Sequence, residues 1–225
     1  KRATLSLGDE ATDLIRSFVE DRMTDEGVFV DRSGKADIYY TSFGLLLSHV
    51  LGIKRNYTAT EQWLNSIDSS TLDMVHYAAY VRSRMLNRLQ QSKAKFLLSA
   101  ISKEPIREAE SFAAVPNNDL HSPYAQFILY SLCEDTGNAT PASDIAPYHC
   151  ADGGYANTRD GEPSVNATAA ALMVQGQNGG YNASTDVDWL RSEQLTSGGF
   201  RAERNTPLHD LLSTATALFT LRCYG

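Results

Sequence analysis

The chain has 225 residues, of which 42% are hydrophobic and 21% charged, a composition typical of a soluble globular protein that can bury a large core. Its formal net charge of -7 argues against wrapping nucleic acid, because that function needs a basic surface. No apolar run reaches the roughly 18 residues that a membrane span requires. The sequence therefore predicts a protein with no nucleic-acid partner and no membrane span.

Three cysteines, Cys133, Cys150 and Cys223, are odd in number and widely spaced. They offer neither a disulfide framework nor close pairs of metal ligands, so a reducing compartment fits best. The charged start of the chain is not followed by the apolar core of a secretory signal. These features favour a cytoplasmic protein, with the loss of an N-terminal targeting segment left open.

In chain order, the first predicted helix opens at Gly8-Asp9 and continues through Leu14, Phe18 and Val19. A turn at 27–29 ends it, and a second helix is predicted from an N-cap at 37 to a glycine at 52. The next hairpin runs from 60 to 67 and then from 73 onward. A long helical stretch from about 93 to 115 precedes a helix that starts at 122 with a first-turn proline.

The segment 141–151 is interrupted by prolines and is not expected to form a full helix. A glycine-aromatic turn at 153–155 and a helix after Ser164 follow it. The last hairpin is the clearest, with a helix from Val187 to Gln194, a turn at 198–200 and a helix that begins after Asp210. No strand-period alternation competes with this pattern, so the sequence predicts an all-α fold.

The helices form an internal repeat. In the best-matched copies a glycine-aromatic turn lies eight to ten residues before a polar helix start, and a threonine follows that start by four positions. Repeats of this kind build stacked hairpins, and the alanine-rich run 167–171 favours convergence into a ring. We expect one domain over residues 1–225 with about five hairpins, the ring complete or open. The five polar starts are Asp37, Asp73, Ser122, Ser164 and Asp210.

Trp189-Leu190 to Gln194 followed by Gly198-Gly199-Phe200 resembles the repeat of the α/α-toroid superfamily, which contains protein prenyltransferase β subunits and squalene or terpene cyclases. The start of the next helix, Asp210-Leu-Leu-Ser-Thr214, is similar to that family as well. The resemblance implies an α/α toroid with a central apolar cavity. It covers nearly the whole chain as repeats, and the first, fourth and fifth units match best.

The resemblance also implies a zinc site, with an aspartate and a cysteine two residues apart on one helix start and a histidine on a later one. A gapless match places Ser164 at the aspartate, Asn166 at the cysteine and Ser213 at the histidine. Hydroxyl and amide groups are poor replacements for these ligands. We therefore expect no metal and no cofactor.

The cyclase branch of the family uses an aspartate-rich acid motif. The nearest string here is Asp186-Val-Asp188-Trp189, at the start of the first helix of the last hairpin. Acidic residues in a first turn are expected from the helix dipole alone, so we interpret them as structural.

Two sets of residues are candidates for ligand binding. Aromatic side chains at helical spacing can line an apolar pocket or form plain core, and arginines in the turn loops can bind an anion or lie exposed. The cap at 210 is included because it stands at the implied mouth of the cavity. The candidates are Tyr40, Phe43, Tyr77, Tyr124, Arg159, Arg201, Arg204 and Asp210.

Two functions stay open on this evidence. The first is a binding or scaffold protein with an apolar cavity for an isoprenoid, lipid or peptide, because the fold signature is present while the zinc ligands are replaced. The second is an isoprenoid enzyme, a prenyltransferase or terpene cyclase relative, whose site is altered or completed by a partner subunit. An incomplete ring would leave an apolar seam, which predicts a protein partner or self-association.

Overall fold

A computed structural model describes residues 8–91, 121–182 and 184–225. Within these ranges the regular structure is helical, and pairing between extended residues is limited to isolated bridges. The all-α prediction is confirmed for this part of the chain. The predicted helix at 93–115 lies outside it. The α-helices are α1 (Asp9–Asp21), α2 (Ile38–Leu51), α3 (Tyr57–Asn65), α4 (Met74–Gln91), α5 (Pro123–Thr136), α6 (Val165–Gly179), α7 (Thr185–Ser192) and α8 (Leu211–Cys223).

By its contacts the chain divides into two compact units. Unit 1 consists of Lys1–Ala114 with Thr136–Asn138, and unit 2 of Val115–Asp135 with Ala139–Gly225. In unit 1, α4 packs against both α2 and α3, and α1 packs against α2. In unit 2, α6 packs against α7 and α8. The single toroid over 1–225 stays a prediction.

The five polar residues predicted to precede helices all act as caps, and the two predicted caps, at 37 and 210, are confirmed. Asp37 accepts from Tyr40 N, and Ser164 accepts from Ala167 N. Each such bond satisfies one of the backbone donors that a helix start leaves free. The remaining caps are Asp73 with His76 N, Ser122 with Ala125 N, and Asp210 with Ser213 N.

A threonine four residues after the cap holds the glycine-aromatic turn in three of the hairpins, an arrangement we call the threonine tie. The backbone N–H of Phe200 donates to the Thr214 hydroxyl over 2.9 Å, and the Phe200 carbonyl accepts from Asp210 N over 2.9 Å. The tie fixes the aromatic residue beside the helix start. The other two ties are Phe29 N to Thr41 and Tyr155 N to Thr168, at 3.0 and 2.9 Å.

Glycines at the first position of these turns take a left-handed backbone conformation, which side-chain-bearing residues rarely adopt. Their φ angles are 71° at Gly27, 92° at Gly153 and 90° at Gly198. This shared geometry explains why the repeat is visible in the sequence as a glycine before an aromatic residue.

Before α6, the only regular piece that the structure describes in 141–151 is a 3₁₀ turn at Ala146–Tyr148, which confirms the interrupted segment. Each unit has its own apolar core. In unit 1 one cluster joins Val19, Phe29, Leu45, Leu51 and Ile53. In unit 2 one cluster includes Tyr130, Ile145, Tyr148, Tyr155, Ala167, Ala171 and Val174, and a second includes Val165, Leu172, Val187, Trp189, Leu190, Phe200 and Ala217.

Helices α4, α5 and α6 are buried around most of their circumference. On α1 the predicted apolar pattern is helical, but Leu14 and Phe18 are exposed and Val19 is buried. Helices α2 and α8 also carry exposed apolar side chains. In the part of the chain that is described, no helix combines the length and apolar character needed to cross a membrane.

Candidate functional site

Polar side chains at the starts of α6 and α8 form a connected group, which we call the helix-start network: Asn166, Asp210, Ser213 and Thr216. The Asn166 amide donates to the Ser213 hydroxyl over 3.3 Å and accepts from the Thr216 hydroxyl over 2.8 Å. The Ser213 hydroxyl is buried and donates to Asp210 over 2.7 Å. These bonds join the two helix starts inside unit 2.

Two of the three residues at the implied zinc positions, Asn166 and Ser213, therefore lie in direct contact. Ser164 has a different task, because its hydroxyl accepts from Ala167 N over 3.2 Å as the cap of α6. Hydrogen bonds from the Ser213 hydroxyl and backbone N–H hold the pKa of Asp210 below its ordinary value. The carboxylate thus acts as the charged cap of α8.

The donor chemistry of this network does not suit zinc, because zinc sites in proteins use thiolate, imidazole or carboxylate ligands. Asp210 is the one acidic group among its four members, and its Oδ2 atom already accepts from Ser213. Across residues 8–91, 121–182 and 184–225, no three His, Cys, Asp or Glu side chains gather closely enough to hold a metal ion.

Arg201 and Arg204, two of the candidate anion-binding residues, converge on Glu193 at the end of α7. Glu193 is only 1% exposed, and its carboxylate lies 2.9 Å from Arg201 Nε and 3.4 Å from Arg204 Nε. Arg204 also reaches Asp152 over 2.6 Å. Both guanidinium groups therefore have internal carboxylate partners, which lowers the positive charge available to an external anion.

Trp189 packs against the backbone of the turn at Gly153 and Gly154. A Cβ atom added at Gly154 would lie 2.7 Å from the indole ring, so this contact requires glycine. The guanidinium of Arg204 lies 5.7 Å from the ring centroid on the indole, within the range of a cation–π contact. The fourth and fifth hairpins are thereby joined through their turns.

Asp186, the first acid of the string at 186–189, is buried and forms part of the same junction. Its Oδ1 atom lies 2.9 Å from His149 Nε2 and accepts from Gly154 N over 3.2 Å. Burial, with a smaller contribution from the charge of Asp186, raises the pKa of Tyr155 to about 12. The second acid, Asp188, pairs with Arg191 over 3.1 Å on the exposed face of α7. These contacts fit a structural role for the string.

The four aromatic candidates are divided between the units. Tyr40 and Phe43 lie exposed on α2, where both rings contact Tyr39 at centroid distances of 6.0 and 5.0 Å. Tyr77 is buried on α4 of unit 1, and Tyr124 is partly buried on α5 of unit 2. Of the four, only Tyr40 and Phe43 lie together on the surface of one unit.

The last arginine candidate, Arg159, is exposed in the loop before α6. Sequence reasoning missed Glu193, whose burial depends on arginines 8 and 11 residues later in the chain. It also missed Arg55, whose guanidinium donates to the hydroxyl of Thr60 and the side-chain carbonyls of Asn87 and Gln90. Burial lowers the pKa of Arg55 to about 10. The sequence carries no local signal for either contact, because the partners lie 8 and 11 residues from Glu193 and up to 35 residues from Arg55.

In comparisons with known proteins, no family model, curated protein or solved structure matches the chain.

Proposed function

We propose that the chain is a binding or scaffold protein built from hairpins of the α/α-toroid type, with an apolar cavity and without the family's zinc chemistry. The helix-start network carries this proposal. At the positions where the resemblance implies zinc ligands, Asn166 and Ser213 bind each other, and Asp210 caps α8. Groups engaged in this way stabilise helix packing and offer no thiolate or imidazole to a metal.

The ligand of such a protein is an isoprenoid, a lipid or an apolar peptide. Two observations support an uncharged ligand over a diphosphate. Tyr40 and Phe43 expose aromatic surface, which suits apolar contacts. Arg201 and Arg204 are paired with Glu193, so an anion would have to compete with a buried carboxylate.

The test measures metal content and binding on the same purified chain. After incubation with zinc and dialysis, elemental analysis is expected to find no stoichiometric zinc. A fluorescent isoprenoid alcohol is expected to bind at least as tightly as the corresponding diphosphate, and a thiol peptide is expected to receive no labelled prenyl group. A double variant, Asn166→Cys with Ser213→His, serves as the positive control for metal analysis, since its two new ligands replace side chains now 3.3 Å apart.

Stoichiometric zinc in the native chain, or prenyl transfer to the peptide, would overturn the proposal and favour the isoprenoid enzyme. Tight binding of the diphosphate with no binding of the alcohol would overturn the apolar-ligand part alone.

A further inference from the structure

Helix α8 has an apolar face that is exposed in unit 2, and we call it the trailing face: Leu211, Leu212, Leu218 and Phe219. Their exposed fractions are 83%, 58%, 51% and 59%. Counted from the N-cap at 210, these are positions 1, 2, 8 and 9 of the helix. Large apolar side chains exposed together at helical spacing mark a surface that binds another protein element.

The equivalent face of α6 is covered, and the element that covers it is described in the same unit. Counted from its cap at 164, positions 1, 8 and 9 of α6 are Val165, Leu172 and Met173, and they are 0%, 0% and 7% exposed. The next hairpin, α7 with α8, packs against α6 and shares an apolar cluster with Val165 and Leu172. In this repeat, the trailing face of one hairpin is thus covered by the hairpin that follows.

The covering side of α8 is equally well defined. Positions 3, 6 and 10 after the cap are Ser213, Thr216 and Thr220; the first and third are buried, and the second bonds to Asn166 of α6. The same positions on α2, counted from the cap at 37, are Tyr40, Phe43 and Leu47. We call them the leading face. They are 39%, 53% and 37% exposed, so the described residues leave this side of the first hairpin partly uncovered.

We infer that the chain associates head to tail with a second copy of itself, the trailing face of α8 in one molecule receiving the leading face of α2 in the next. This contact continues the α6/α8 interface by one step of the repeat, with apolar residues on both sides. It joins two different surfaces, so each added copy leaves one face of each kind free. Such heterologous contacts produce either a closed ring of copies or a growing chain.

The inference is tested by light scattering coupled to size exclusion over a series of concentrations of the whole chain. The native protein is expected to form species larger than a dimer as its concentration rises. Leu218→Glu on the trailing face and Phe43→Glu on the leading face are each expected to weaken association at least about tenfold, since a charge replaces a central apolar contact. His49→Glu is the matched control, because His49 is exposed on α2 outside the leading face.

Mixing the two variants provides the decisive measurement. The Leu218→Glu chain keeps an intact leading face and the Phe43→Glu chain an intact trailing face, so the mixture is expected to form a one-to-one dimer that grows no further. Circular dichroism verifies that each variant is folded. Leu211→Glu replaces Leu218→Glu if the latter is not, because Leu211 is the more exposed residue.

A native chain that stays monomeric at every concentration would overturn the inference. The same holds for association that neither glutamate weakens, and for a mixture that forms no dimer. None of these results bears on the helix-start network, which carries the proposed function, so the inference can fail while the proposed function stands.

Discussion

The threonine ties use single hydroxyl groups to position aromatic side chains in three hairpins. In the fourth hairpin the Thr168 hydroxyl is fully buried and accepts from the backbone N–H of Tyr155 over 2.9 Å. A buried donor without an acceptor costs about 1–3 kcal/mol, which is more than the net value of an ordinary hydrogen bond.

Thr168→Val keeps the shape of the side chain and removes the acceptor. We expect it to lower the free energy of unfolding by about 1–3 kcal/mol. Thr168→Ser retains the hydroxyl and loses one buried methyl group, with an expected loss of about 1 kcal/mol. Urea unfolding followed by circular dichroism compares the two. A loss close to zero in Thr168→Val would mean that the hydroxyl contributes nothing.

Glu193 is the carboxylate partner that Arg201 and Arg204 of the fifth hairpin share. Glu193→Gln removes a buried charge and leaves Arg201 and Arg204, both partly exposed, without that partner. We expect the free energy of unfolding to fall by about 2 kcal/mol, since hydrogen bonds to charged groups are among the stronger ones. We also expect tighter binding of inorganic diphosphate, because the guanidinium groups are released from Glu193.

Thermal unfolding and a calorimetric titration measure these two effects. Arg159→Ala is the control for stability, because this arginine is exposed in its loop. Unchanged diphosphate binding in Glu193→Gln would mean that the pairing does not limit access to an anion.

Sequence reasoning succeeded at the residue scale wherever a structure depends on near neighbours. A cap such as Ser164 needs only a backbone donor three positions away, so its pattern is complete within one helical turn. Burial is different, because it depends on what packs against a side chain. Leu211 is apolar yet 83% exposed, while Glu193 is charged yet 1% exposed because two arginines return to it from the following loop.

At the scale of elements, α8 depends on the cap that also belongs to the helix-start network. Asp210 accepts from both the backbone N–H and the hydroxyl of Ser213, each over 2.7 Å. Asp210→Ala is expected to cost about 1 kcal/mol, whereas Asp210→Asn retains a capping oxygen and is expected to cost less. Urea unfolding measures both variants, and an equal cost would assign the effect to charge instead of capping.

The same cap makes the stability of α8 sensitive to acid. The pKa of Asp210 is lowered by Ser213 in the folded chain, so the unfolded chain binds the proton more tightly. The stabilisation is therefore present above the ordinary pKa of an aspartate and is lost as pH falls through the lowered value. Asp210→Asn is expected to reduce this acid dependence, measured as the difference in free energy of unfolding from the native chain along a pH series.

At the element scale, the sequence predicts the local geometry of each repeat. It does not predict which helix faces are covered. The match between Asp37–Thr41 and Asp210–Thr214 predicted two helices of one kind, and both form with the same cap and the same tie. Their exposed apolar faces differ, because α2 exposes Tyr40 and Phe43 whereas α8 exposes Leu211 and Leu218 at other positions after the cap. That difference depends on what packs against each helix and leaves no mark in the local pattern.

At the scale of the whole molecule, buried tyrosines in unit 2 affect how stability depends on pH. Unit 2 holds two tyrosines whose pKa burial raises to about 12, Tyr155 beneath the fourth hairpin's turn and Tyr224 after α8. The Tyr224 hydroxyl donates to the Leu172 carbonyl over 2.6 Å, and the Tyr155 hydroxyl accepts from Gln175 over 2.6 Å. Both groups are neutral and hydrogen-bonded in the folded chain.

An unfolded tyrosine loses its proton near pH 10, about two units before these two do in the folded chain. Between those values the unfolded chain binds fewer protons, so the free energy of unfolding falls as pH rises from about 10 to about 12. The double variant Tyr155→Phe with Tyr224→Phe is expected to have a shallower alkaline slope, measured by urea unfolding along a pH series. Tyrosinate absorbance would contradict the prediction if both residues ionised at their ordinary pKa while the helical dichroism was intact.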